Sequence, residues 1–148
     1  MEQLTISRFS EDDFSALAEI EADAFSTPFK EQDFLSLYES EISSVLTARY
    51  GDFIVGHLSY TVILDECQII NVAVREEYRG RGIGSRLLEN LLTELKGRGV
   101  IKVFLEVRES NLSAIGLYKK HGFSPVGISK NHFSMPRENA ILMNLELD

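Results

Sequence analysis

Residues 72–86 read VAVREEYRGRGIGSR, and this stretch decides the fold. It runs from an apolar, strand-like segment into the strongest helical period of the chain, with Ile83, Leu87, Leu88, Leu91, Leu92 and Leu95 recurring every three or four residues. Gly82 to Gly84 open the helix, and Gly97 and Gly99 end it. Glycine carries no Cβ, so the backbone of this loop can come close to a ligand. Free backbone N–H groups at a helix N-terminus make a natural anion site. Arg79, Arg81 and Arg86 add formal positive charge. Strand, glycine loop, helix and arginines together describe a cradle for a pyrophosphate. No Gly-Lys-Ser/Thr follows, so the loop is not a Walker A motif. Nor does it have the spacing or the βαβ-opening position of the dinucleotide fingerprint.

On the N-terminal side, residues 4–9 (LTISRF) alternate and predict a strand. Ser10, with Asp13 three residues on, predicts the N-cap of a helix carrying Phe14, Leu17, Ala18 and Ala24. Residues 25–30 (FSTPFK) break it, and a second helix is expected over about 30–42. Strands are expected near 44–50, 53–64 and 67–74, with Gly51-Asp52 as a hairpin turn. On the C-terminal side, residues 100–107 (VIKVFLEV) read as a central, apolar strand. Asn111 or Ser113 caps a short helix that stops at His121-Gly122, and strands near 123–129 and 139–147 close the chain. The expected order is β-α-α-β-β-β-α-β-α-β-β, an α/β or α+β domain around one mixed sheet.

The chain has 148 residues, 44% hydrophobic and 26% charged, with neither repeats nor a Pro/Gly/Ser linker, and one domain over residues 1–148 is expected. A single cysteine, Cys67, excludes an internal disulfide and any multi-cysteine metal site. His57, His121 and His132 are scattered without metal-ligand spacing, so no metal is expected. No apolar run approaches the roughly 18 residues of a membrane span, and the first residues have no signal-peptide character. A cytoplasmic protein with no membrane partner is expected. The net charge is −8, a poor footing for nucleic-acid binding. It is also uneven: residues 1–66 hold 3 basic and 14 acidic side chains, residues 67–148 hold 12 and 9. The basic half suits a phosphorylated cofactor; the acidic half either attracts a cationic substrate or simply solvates exposed helices.

Glu106 stands near the end of the apolar strand. A carboxylate there is costly to bury without a use, and partial burial would suit it to take a proton from an amine. It could equally face solvent or pair with Arg108. Tyr118, beside Lys119 and Lys120, could protonate a thiolate leaving group, or merely pack its ring with its hydroxyl in water. Cys67 reads as a buried structural thiol, and Phe14, Phe25, Phe34 and Tyr38 as core.

Arg79-Gly80-Arg81-Gly82-Ile83-Gly84 resembles the Gln/Arg-x-x-Gly-x-Gly/Ala signature of the GNAT acetyltransferases. NVAV (71–74), LEVRESN (105–111), AIGLYKKHGF (114–123) and NHFSMPRENAILM (131–143) look like the RimI branch, bacterial enzymes that acetylate the N-terminal alanine of a small-subunit ribosomal protein. The resemblance covers nearly the whole chain and implies a central mixed, mostly antiparallel sheet flanked by helices. It also implies acetyl-CoA as co-substrate and a protein N-terminus as partner. The backbone of Val72, Ala73 and Val74 would bind the pantetheine arm and thioester. Gly80, Arg81, Gly82, Ile83, Gly84 and Ser85 would hold the pyrophosphate, and Arg79 and Asn111 would contact the cofactor. Glu106 falls on the general base and Tyr118 on the general acid. Two loops depart from the branch. Pro28-Phe29-Lys30 stands where Pro-Trp-Ser is usual, and His132-Phe133 where paired tyrosines are common. Both shape the acceptor side, where a lysine side chain or a small amine is the alternative substrate. A non-catalytic acyl-CoA-binding module and a nucleotide-binding protein are the readings from other classes.

Overall fold

The computed structural model describes residues 3–148. Its elements are β1 (Leu4–Arg8), α1 (Phe14–Ala24), α2 (Glu31–Glu39), β2 (Ser43–Tyr50), β3 (Phe53–Ile63), β4 (Glu66–Val74), α3 (Ile83–Gly97), β5 (Lys102–Arg108), α4 (Leu112–Lys120), β6 (Ser124–Phe133) and β7 (Glu138–Glu146). All eleven expected elements form in the expected order. The first helix begins with a short 3₁₀ turn over Glu11–Asp13. There the Ser10 amide donates to Asp13 Oδ2 at 2.8 Å, and the same oxygen lies 2.9 Å from the Arg49 guanidinium on β2. The second helix stops at Glu39 rather than near 42. Ser40 is extended, and its hydroxyl accepts from the amides of Ile42 and Ser43, which turns the chain into β2.

Seven strands make one sheet in the order β1-β2-β3-β4-β5-β7-β6. Every neighbouring pair is antiparallel except β4 and β5. Strand alternation sends side chains to two faces. On one face Val45, Ile54 and Ala73 pack with Leu17 and Ile20 of α1 and Phe34 of α2. On the other, Leu46, Ala48, Val55 and Leu58 meet Ile83, Leu87, Leu88, Leu91 and Leu95, the apolar stripe of α3. Cys67 is fully buried here, and burial pushes its thiol up to about 12, as suits an inert structural group. Of the four aromatic residues expected in the core, only Phe34 is fully enclosed. Phe14 and Phe25 are half-buried, and Tyr38 is 43% exposed. Tyr38 meets Phe9 and Phe14 edge-on at the surface.

The feature that positions the site is a parting of strands. β4 and β5 pair only through Glu66–Lys102, Cys67–Val103 and Gln68–Phe104. Just beyond, β4 carries a bulge: Tyr60 of β3 faces Ile69 and Ser59 faces Asn71, which leaves Ile70 as an extra residue. A bulge bends its strand, and the C-terminal half of β4 stays with β3 while β5 stays with β7. A wedge opens between them. The glycine loop leading to α3 leaves the end of β4, and the turn leading to α4 leaves the end of β5, so both helices start at its mouth.

Candidate active site

The wedge is a cavity of about 910 Å³, at the large end for a small-molecule site. Its walls include Val72, Ala73 and Val74 of β4, the loop residues Arg79, Gly80 and Gly82, and Ile83, Gly84 and Ser85 of α3. Glu106 of β5, Asn111, and Tyr118 of α4 line the same space. Of the thirteen candidate site residues, only Arg81 is not among the lining.

The phosphate end is built by the backbone. Gly80 and Gly82 both have φ near +77°, a conformation costly for any residue with a Cβ, and the space a Cβ would occupy at each is open. Gly82 caps α3, whose first full helical bond runs from the Arg86 amide to the Gly82 carbonyl. The amides of Ile83, Gly84 and Ser85 therefore have no partner within the helix, and they face an anion site at the positive end of a fifteen-residue dipole. The arginines divide. Arg79 donates from Nε to the Val74 carbonyl at 3.0 Å and joins loop to strand. Arg81 lies over the Tyr78 ring at 4.9 Å. Arg86 turns away, toward the Leu4 carbonyl. Ser85 Oγ lies 3.1 Å from His121 Nε2, which ties the start of α3 to the end of α4. Asn111, not Ser113, is the cap of α4: its Oδ1 accepts from the Ala114 amide at 3.2 Å. The residues fit a diphosphate-bearing thioester cofactor, with backbone donors at one end and a largely apolar slot beside β4.

At the chemical end, Tyr118 is buried beside Phe123, and desolvation pushes its phenol well above the ordinary range. Its hydroxyl therefore holds its proton at neutral pH. Lys119 and Lys120 are exposed, so the phenol does not owe its environment to them. Glu106 differs from the expectation of partial burial. It sits at the cavity rim with about a third of its side chain exposed, because the alternation of β5 turns it away from the core that holds Leu105 and Val107. It does not pair with Arg108. That guanidinium goes to Glu138, to the carbonyls of Ser134 and Pro136, and over the Phe133 ring. The partner of Glu106 is His132, with Nε2 at 2.6 Å from Oε2.

A second polar group escaped the sequence reading. Glu21 and His57 are fully buried, with Glu21 Oε2 2.9 Å from His57 Nε2 but off hydrogen-bond alignment. Glu21 Oε1 accepts from the Phe29 amide in the α1–α2 loop and from Asn71 Nδ2 beside the β4 bulge. The available signal was spacing: Glu21 falls on the same helical face as Leu17, Ile20 and Ala24, where a carboxylate needs a partner. Among the described residues no three metal-binding side chains cluster, and no helix is long and apolar enough to cross a membrane.

Known proteins resemble this chain in sequence and fold. Residues 14–123 match the model of the Acetyltransferase (GNAT) family. The ribosomal protein bS18-alanine N-acetyltransferase of Salmonella typhimurium (strain LT2) is 38% identical over 146 residues, covering 97% of each chain. The enzyme of the same name from Escherichia coli K12 is 36% identical over 145 residues, again covering 97% of each. The crystal structure of the ribosomal-protein-S18-alanine N-acetyltransferase from Escherichia coli superposes with a TM-score of 0.91 at 35% identity, over 99% of this chain and 95% of that one. Ard1 from Thermoplasma volcanium superposes at 0.90 with 26% identity, over 98% of both chains. With a family match across most of its length, and a glycine loop and a parted β4–β5 pair in one cavity, the chain belongs to the GNAT acetyltransferases.

Proposed function

We propose that this protein is an acetyl-CoA-dependent N-acetyltransferase that modifies the N-terminal α-amine of a protein, in particular the N-terminal alanine of the small-subunit ribosomal protein bS18. The observation that carries the proposal is one chamber joining the glycine loop to both Glu106 and Tyr118. The substrate is supported by relatives at 36–38% identity that carry this activity in their names. A ribosomal-protein tail, being basic, also suits the acidic first half of the chain.

Acetyl-CoA supplies the reaction with an activated thioester carbonyl. In this reading the amides of Gly80 to Ser85 hold the pyrophosphate, while the backbone of Val72, Ala73 and Val74 aligns the pantetheine arm and Asn111 contacts the cofactor. A β4 amide is offered to the thioester oxygen as charge develops there. The peptide amine is a cation in water and must lose a proton before it can attack, and Glu106 takes it. Tyr118 protonates the departing thiolate from its buried hydroxyl. Attack is direct, which leaves Cys67 uninvolved and requires no metal. The reaction takes place in the cytoplasm, within a single domain spanning residues 1–148.

The test is an acceptor comparison at fixed acetyl-CoA: the bS18 N-terminal peptide, the same peptide with a blocked α-amine and an internal lysine, and a polyamine. CoA release with the first alone is expected. Release only with lysine or polyamine would move the enzyme to another acceptor class. Acetyl-CoA binding without release from any acceptor would make it a non-catalytic module.

A further inference from the structure

His132 is the residue the acceptor side leaves unexplained. Among the residues lining the cavity, Glu106 is the only carboxylate and His132 the only imidazole. They come from different elements, β5 and β6, and meet at 2.6 Å. The two atoms are in contact without the alignment of a hydrogen bond, so a proton reaching the carboxyl has the ring nitrogen within reach. The other ring nitrogen, Nδ1, lies 3.3 Å from Ser129 Oγ, a hydroxyl that accepts from an Nδ1–H of the neutral ring or of an imidazolium. The Phe133 ring stands edge-on at 4.8 Å and fixes the imidazole from one side. About a third of the His132 side chain reaches solvent. The cavity's guanidiniums are committed elsewhere, Arg79 to the Val74 carbonyl and Arg108 to Glu138, and the phenols of Tyr78 and Tyr118 complete its titratable lining.

We propose that Glu106 and His132 work as one proton-accepting pair, with His132 the final acceptor and its outlet to water. The inference rests on the reading of Glu106 as the group that deprotonates the acceptor amine. At rest the imidazole is neutral with its proton on Nδ1, toward Ser129 Oγ, and the Nε2 lone pair stands beside Glu106 Oε2. The ammonium proton enters at Glu106 Oε1. The carboxyl hands it on to His132 Nε2, 2.6 Å from Oε2, and is left as a carboxylate beside an imidazolium. The freed amine forms the C–N bond with the thioester carbon, the C–S bond breaks, and the sulfur leaves with its electron pair to be protonated by Tyr118. The imidazolium, held by the carboxylate on one side and Ser129 Oγ on the other, then releases its proton to water.

Chemical rescue tests this. His132→Ala, His132→Gln, Glu106→Gln and the double variant are assayed for peptide acetylation, and acetyl-CoA binding is followed by calorimetry. Each single variant is expected to lose about 10²-fold in kcat with acetyl-CoA affinity unchanged. The double variant loses little more than the worse single, as groups acting as a unit do. Added imidazole restores His132→Ala in proportion to its neutral form, which a structural role would not produce. Turnover of His132→Ala close to wild type, or a loss that imidazole does not relieve, overturns the proposal while the reading of Glu106 stands. Full turnover in Glu106→Gln overturns both.

Discussion

Among single residues, Tyr118 shows how burial holds a phenol in its protonated form. It lines the cavity, and its buried ring packs beside Phe123. Desolvation penalises the phenolate, so the folded chain favours the protonated form beyond the ordinary range near 10. The sign follows directly. The phenol is neutral in both folded and unfolded chains below pH 10. Above it the unfolded chain loses its proton first, so any cost to stability appears only there. Peptide acetylation should therefore show no falling limb from Tyr118 below about pH 10. Tyr118→Phe should lower kcat by roughly 10²-fold and leave the KM for acetyl-CoA unchanged. A wild-type kcat in that variant would remove Tyr118 from the reaction. That Glu106 and Tyr118 would share one cavity was legible in the sequence, because each matched a family position. The partner of Glu106 was not, since His132 lies 26 residues away, beyond α4 and on a strand separated from β5 by β7, and spacing carries no information over that distance.

Elements explain why the two sides of the cavity hold their places. The α1–α2 loop carries Phe25, Ser26 and Thr27 into the lining, and it is anchored by the Phe29 amide on Glu21. The same carboxylate grips Asn71 beside the β4 bulge. One buried group thus ties the acceptor-side loop to the strand that lines the thioester slot. Glu21→Gln keeps the volume and removes the charge beside His57. It should raise the KM for the peptide on the order of tenfold and leave the KM for acetyl-CoA nearly unchanged, because Glu21 bonds to the α1–α2 loop and to Asn71 but to no residue of the phosphate loop. Equal rises in both constants would show that Glu21 supports only the fold. The eleven elements were readable because helical and strand periods differ and glycines mark the ends of α3. What could not be read is pairing between distant segments: the short β4–β5 ladder, the bulge at Ile70 and the burial of Glu21 on His57 all depend on which strands become neighbours.

For the molecule as a whole, the account reduces to one placement. A sheet split by a bulge, with two helices starting at the opening, sets a phosphate cradle and a carboxylate–phenol pair in the same 910 Å³ cavity. The most direct measurement is acetyl-CoA binding by titration calorimetry to the wild-type chain and to Gly82→Val. Gly82 sits in the left-handed region with open space around it, so valine strains the loop and fills the cradle without striking the core. One acetyl-CoA per chain, bound at least about tenfold more weakly by Gly82→Val, is the predicted result. A wild-type chain that does not retain acetyl-CoA, or a Gly82→Val chain that binds it equally well, would contradict the account.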